Sequence, residues 1–186
     1  GIKPSQGRVP RYGGIGKPAF NILSQPGPMT RTVEDSALLL QALAGPDERD
    51  PGCLREAPQD YLSGLHQGIK GLRVGWSPDL GFAAVDQEVA EVTARAARVF
   101  EELGCPVEDA GIQMDDPFMV FWDIFRLQGY TSYGYIYDER PQDLTTYGKQ
   151  SMEHGRAMSA PEYSRALHGR VQLKRRMESL LDRFDL

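Results

Sequence analysis

Cysteine is scarce in this sequence: Cys53 and Cys105 are its two thiols, 52 positions apart and outside any C-x-x-C spacing. Two such residues offer no disulfide framework. They suit free thiols in a cytoplasmic enzyme, although a single disulfide stays open. Histidine is as poor. His66, His154 and His168 have no partner at i+3 or i+4 and sit in polar helical surroundings, so each reads as a surface residue. No recognised zinc spacing and no G-x-S-x-G nucleophile elbow occurs. The expectation is therefore no metal, no organic cofactor and no catalytic residue that can be nominated inside the chain.

Long apolar runs are also missing. None approaches the ~18 residues of a membrane span, so no membrane partner is expected. The first residues carry no charged n-region or h-region, and no targeting signal is visible. Positive charge is in deficit, with 21 Lys and Arg against 26 Asp and Glu and a formal net charge of −5. That balance leaves no electrostatic footprint for nucleic acid. The one basic cluster, Arg170 with Lys174, Arg175 and Arg176, is interleaved with Glu178 and Asp182 and reads as a solvated helix face.

What is present is an ordinary globular composition, 40% hydrophobic and 25% charged, in a chain of one-domain size. A chain of this length can bury roughly 70% of its unfolded surface. Residues 1–31 are rich in glycine and proline, which favours turns and extended backbone over helix. Thr32 and Asp35 then mark a helix start and Gly45 its stop, with Val33, Ala37, Leu40, Leu43 and Ala44 on one stripe. Residues 46–59 read as a polar loop, and Tyr61, Leu62 and Leu65 as a short helical turn.

Residues 72–76 read as a strand, 86–104 as a helix and 105–109 as a second strand, which is the unit of a parallel sheet. The apolar face of the central helix is Val89, Val92, Ala96, Val99, Phe100 and Leu103. Asp116 before Pro117 opens the next helix, and Pro141 opens one that ends near Gly155. Ser159 and Glu162 form a capping box for the last helix, which turns Tyr163, Ala166, Leu167, Met177, Leu181 and Phe184 inward. The domain reading is one partial domain: 1–109 an extended segment plus helix–strand–helix–strand core, 110–186 a helical part.

Two patterns invite a functional reading. Gly13, Gly14, Gly16 and Lys17 resemble a phosphate loop, but Arg11 stands where glycine belongs and Pro18 where serine or threonine belongs. Nucleotide binding is rejected. The aromatic set from Phe118 to Tyr137 is explained mostly by core packing; its functional reading is the wall of an apolar substrate pocket, with Phe121, Trp122, Phe125 and Tyr133 as candidates. Gly129 and Gly134 weaken the helix there and leave rings free to face a cleft.

The first 51 residues carry a resemblance. Residues 1–11 (G-I-K-P-S-Q-G-R-V-P-R) are similar to the G-[LF]-K-P-[ST]-x-G-R-V-S-R segment of the amidase signature family. Residues 27–40 (G-P-M-T-R-T-V-E-D-S-A-L-L-L) resemble its G-P-M-x-R-x-V-x-D-x-A-L-x-L block, and A-G-P-D at 44–47 with D-P at 50–51 continues it. Residues 71–81 (G-L-R-V-G-W-S-P-D-L-G) resemble the family's next strand. From residue 110 the match rests on helical character.

The resemblance implies an α/β fold: the central part of the amidase-signature fold, a mixed sheet flanked by helices, here mostly helical with a few short strands. It implies amide hydrolysis by a Ser-cis-Ser-Lys triad, in which a buried neutral lysine acts through a bridging serine on the nucleophile. The family's G-G-S-x-R-x-P-A nucleophile segment does not occur in the chain. Lys3 and Ser5 occupy the structural K-P-[ST] positions. The segment thus resembles the central section of an amidase, truncated at both ends and inactive alone, whose parent acts on a small-molecule amide. Self-association through exposed core surfaces is expected. One alternative is the A subunit of a tRNA-dependent glutamine amidotransferase, ranked lower on the region after Trp76. Another, of a different class, is a non-catalytic helical binding or scaffold module.

Overall fold

The computed structural model describes residues 1–11 and 22–186. The glycine-rich stretch weighed as a phosphate loop, Gly13 to Lys17, lies outside the described residues. The described chain is mostly helical with two short strands: α1 (Val33–Leu43), β1 (Val74–Trp76), α2 (Gln87–Glu102), β2 (Val107–Asp109), α3 (Phe118–Glu139), α4 (Thr146–Ala157) and α5 (Ala160–Leu181). A 3-10 turn (Pro141–Asp143) precedes α4. Among the described residues no helix is long and apolar enough to cross a membrane. Two compact units emerge, Gly1–Gly68 with Phe125–Arg156, and Ile69–Ile124 with Ala157–Leu186.

In the first unit the leading segment is held by backbone bonds. Ile2 donates to the Pro28 carbonyl (3.1 Å), Leu54 to that of Gly7 (2.9 Å), and Gly45 to that of Arg8 (3.2 Å). Gly7 has φ +81°, and a Cβ on it would run into the Gly52 carbonyl, so glycine is required twice over. Thr32 caps α1 by accepting from the Asp35 amide at 3.1 Å. The packed face of α1 is Ser36, Ala37 and Leu40. Val33 and Leu43, expected on that stripe, are exposed. Residues 61–66 form successive turns rather than a helix, with Leu65 donating to Leu62 and Gln67 to Gly64.

The second unit contains the strand–helix–strand element read from the sequence. Asp86 caps α2 by accepting from the Glu88 amide at 2.9 Å, and Gly104, at φ +86°, ends it. β1 and β2 pair in parallel with Val74 opposite Val107 and Trp76 opposite Asp109. The expected apolar face of α2 is not the packed one. Ala97 is buried and Ala90, Thr93, Ala94 and Phe100 are half-buried, whereas Val89, Val92, Val99 and Leu103 are each about half exposed. Both sides of the helix are apolar enough to pack, and the smaller alanine side meets the neighbouring structure.

The chain's last residues run beside β1. Gly75 donates to the Leu186 carbonyl (2.8 Å), and Asp185 and Leu186 donate to the Arg73 carbonyl (2.8 and 3.2 Å). Phe184 is buried with its ring against Gly75, where a Cβ would come within 2.6 Å of the ring. Phe184 therefore packs after α5, not on it. On α5 itself Ala166 is buried, Tyr163 and Leu167 are half-buried, and Met177 and Leu181 are exposed, which shortens the inward face expected there. Lys174, Arg175 and Arg176 are exposed, with Lys174 paired to Glu178 at 3.3 Å.

α3 starts where expected: the Asp116 carboxylate accepts from the Phe118 amide at 2.8 Å. Gly129 and Gly134 do not interrupt it; the helix runs unbroken to Glu139. A Cβ on Gly134 would meet the Tyr130 ring at 2.8 Å, so glycine there admits that ring. The single helix expected from Pro141 is two elements. Leu144 is extended, and Thr145 caps a new start by accepting from the Gly148 amide at 3.1 Å. α4 then passes Gly155 and ends at Ala157.

Candidate functional site: the aromatic side of α3

The four candidate wall residues all lie on α3, Phe121 and Trp122 in the second unit and Phe125 and Tyr133 in the first. In the second unit Trp122 stacks with Phe118 (centroids 5.4 Å, planes at 24°) and with Phe121 (6.4 Å, 29°). Phe121 is 44% exposed and Trp122 half-buried, so this cluster is an apolar surface whose rings are already ordered by one another. In the first unit Phe125 is 41% exposed and Tyr133 half-buried.

Tyr133 shares its side of α3 with Tyr130 and Tyr137, both of which face α4. A Cβ on Gly155 would strike the Arg126 carbonyl and come within 2.8 Å of the Tyr130 Cβ, so α3 and α4 approach at backbone contact there. The Tyr137 hydroxyl donates to Glu153 Oε1 at 3.1 Å, and that of Tyr130 to Asp138 Oδ2 at 3.2 Å. Arg156 lies 3.7 Å from Asp138. Desolvation, and next the bond to Glu153, raises the Tyr137 phenol above its ordinary pKa, so it is a neutral donor at neutral pH. The carboxylates and arginine of this network carry no motif. The only sequence signal for Asp138 is its i+8 position from Tyr130, two helical turns on along the same face.

Among the described residues, the second unit includes two concavities lined by its own side chains. One, of about 440 Å³, lies between α2 and the strands and is lined by Trp76, Arg98, Glu101, Glu108 and Asp109 among others. The other, of about 250 Å³, lies between the start of α3 and α5, with Asp115, Val120, Gln172 and Arg176 on its walls. None of the four candidate rings lines either.

Nothing in the described residues assembles hydrolytic chemistry around Lys3 and Ser5. Both side chains are exposed, whereas a lysine base must be desolvated to be neutral. Ser5 instead closes a turn, its carbonyl accepting from the Arg8 amide at 3.0 Å. Among the described residues no three His, Cys, Asp or Glu side chains gather as a metal site would need. Cys53 and Cys105 are free and buried. Cys53 bonds within its loop to the Asp47 backbone, and Cys105 donates to the Ile69 carbonyl at 3.0 Å. The Nη1 atoms of Arg8 and Arg11 are buried and have no hydrogen-bond partner among the described residues, a feature that the sequence did not flag.

Comparison with known proteins accounts for this arrangement. The family model described as Amidase matches residues 1–186. The chain is 39% identical over 132 residues to an acylamidase of Rhodococcus erythropolis, covering 71% of this chain and 27% of that protein. It is 33% identical over 188 residues to an amidase of Pseudomonas putida, covering 100% of this chain and 40% of that protein. Over 114 residues it is 49% identical to the A subunit of the glutamyl-tRNA(Gln) amidotransferase of Rubrobacter xylanophilus, covering 60% of this chain and 23% of that protein. Its fold superposes on the crystal structure of a bacterial aryl acylamidase of the amidase signature enzymes with a TM-score of 0.83 and 31% identity, covering 99% of this chain and 40% of that one. The chain thus spans between about a quarter and two fifths of the length of these relatives.

Proposed function

Since the chain belongs to the amidase family, we propose that it is the scaffold section of an enzyme that hydrolyses carboxylic amides to an acid and an amine or ammonia through a serine acyl-enzyme. The observation that carries this reading is the family match across all 186 residues. In the reaction a serine oxygen attacks the amide carbon, the C–N bond breaks as the nitrogen takes up a proton, and water cleaves the resulting ester. On this reading the activated serine and its lysine lie outside this segment: the G-G-S-x-R-x-P-A motif does not occur in it, and Lys3 and Ser5 are exposed.

The chain's contribution is structural, with Phe121 and Trp122 as an ordered apolar surface and Phe125 and Tyr133 as further candidates for a wall against a small-molecule amide. Nucleic acid is not a partner on this reading, given the net charge of −5. Two buried free thiols suit the reducing cytoplasm. Exposed apolar side chains on α1 and α2 favour self-association of the isolated chain.

The test is to incubate the purified chain with a panel of aryl and alkyl amides and to follow amine or ammonia release. No turnover is expected. Activity that survives purification and disappears with a serine-directed reagent would overturn the assignment of catalysis to other segments. A second reading, the A subunit of an amidotransferase, is favoured by the 49% identity over 114 residues. The enzyme carrying this segment would then release ammonia from glutamine in preference to amine from aryl amides.

A further inference from the structure

No further inference is drawn: the strongest candidate, the groove of about 440 Å³ between α2 and the two strands lined by Trp76, Arg98, Glu101, Glu108 and Asp109, has an acidic rim with no buried, unpartnered polar group aimed into it and no other observation that points to a ligand.

Discussion

Arg73 and Asp185, 112 residues apart, are joined by three hydrogen bonds: the Arg73 amide and Nε donate to Oδ2 at 2.8 and 3.1 Å, and Nη2 donates to Oδ1 at 3.0 Å. This clamp seats the end of the chain alongside β1, where backbone bonds and the Phe184 ring on Gly75 complete the contact. The hydrogen bond from the Arg73 side chain, then that from its amide, holds the Asp185 carboxyl at about 2, below its ordinary 3.8.

A depressed carboxylate pKa stabilises the fold only while the group is ionised. The contribution of Asp185 is therefore full above its unfolded value of 3.8 and is lost as the pH falls through about 2. Asp185→Asn should lower the unfolding temperature near neutral pH, and the gap to the parent should close under acid. A thermal melt series across pH checks this. A gap that persists undiminished at the acid end would show that the charge is not what Asp185 contributes.

Gly155 is the point of closest approach between α3 and α4. An alanine there gains roughly 1 kcal/mol of helix propensity. The new methyl, however, meets the Arg126 carbonyl and the Tyr130 Cβ, so the helices must separate. Overpacking of this kind costs about 1–3 kcal/mol. Gly155→Ala should thus be destabilising by up to about 2 kcal/mol in denaturant unfolding, and should disturb the Tyr137–Glu153 hydrogen bond. A stabilised variant would mean that propensity outweighs the contact.

What the sequence made legible was local. The caps at Thr32, Asp86, Asp116 and Ser159 are each a side chain serving an amide two or three residues on, so a short window contains the whole interaction. The strand–helix–strand unit followed from period and punctuation in the same way. Which face of α2 packs was not legible. Val89, Val92, Val99 and Leu103 are more apolar than Ala90, Ala94 and Ala97, and the smaller residues won because they let the helix sit close to the strands. The Gly129 and Gly134 positions looked like weak points, but an interior glycine costs only about 1 kcal/mol against alanine, and at Gly134 the missing Cβ makes room for the Tyr130 ring.

The capping box of α5 gives a sharper test of local energetics. Glu162 Oε2 accepts from the Ser159 amide at 2.8 Å and from its hydroxyl at 2.6 Å, while Ser159 Oγ accepts from the Glu162 amide at 3.4 Å. Ser159→Ala removes the side-chain half and should cost about 1 kcal/mol. Ser159→Asp retains an acceptor but faces the Glu162 carboxylate, so it should recover less than Ser159→Asn. Denaturant unfolding of the three variants decides it. Equal stability of the alanine and asparagine proteins would show that the cap contributes nothing measurable.

The exposed side of α2 bears on how the isolated chain behaves in solution. Val92 and Val99 are 49% and 48% exposed and seven residues apart, with Ala96 between them, so they form one apolar strip. Such strips favour association, and light scattering of the isolated chain should show mass rising with concentration. The flanking charges set a limit on the mode. Glu88 and Glu91, then Arg95 and Arg98, then Glu101 and Glu102 run along the helix in bands of alternating sign. Two copies of α2 paired in register, or antiparallel about Ala96, would place like charges together, and added salt should therefore strengthen an association made through this strip. Val92→Lys and Val99→Lys should each reduce the associated mass with little change in unfolding temperature, since each side chain is about half exposed. If both variants associate as the parent does, the contact runs through another apolar surface, and a strict monomer at every concentration would remove self-association altogether.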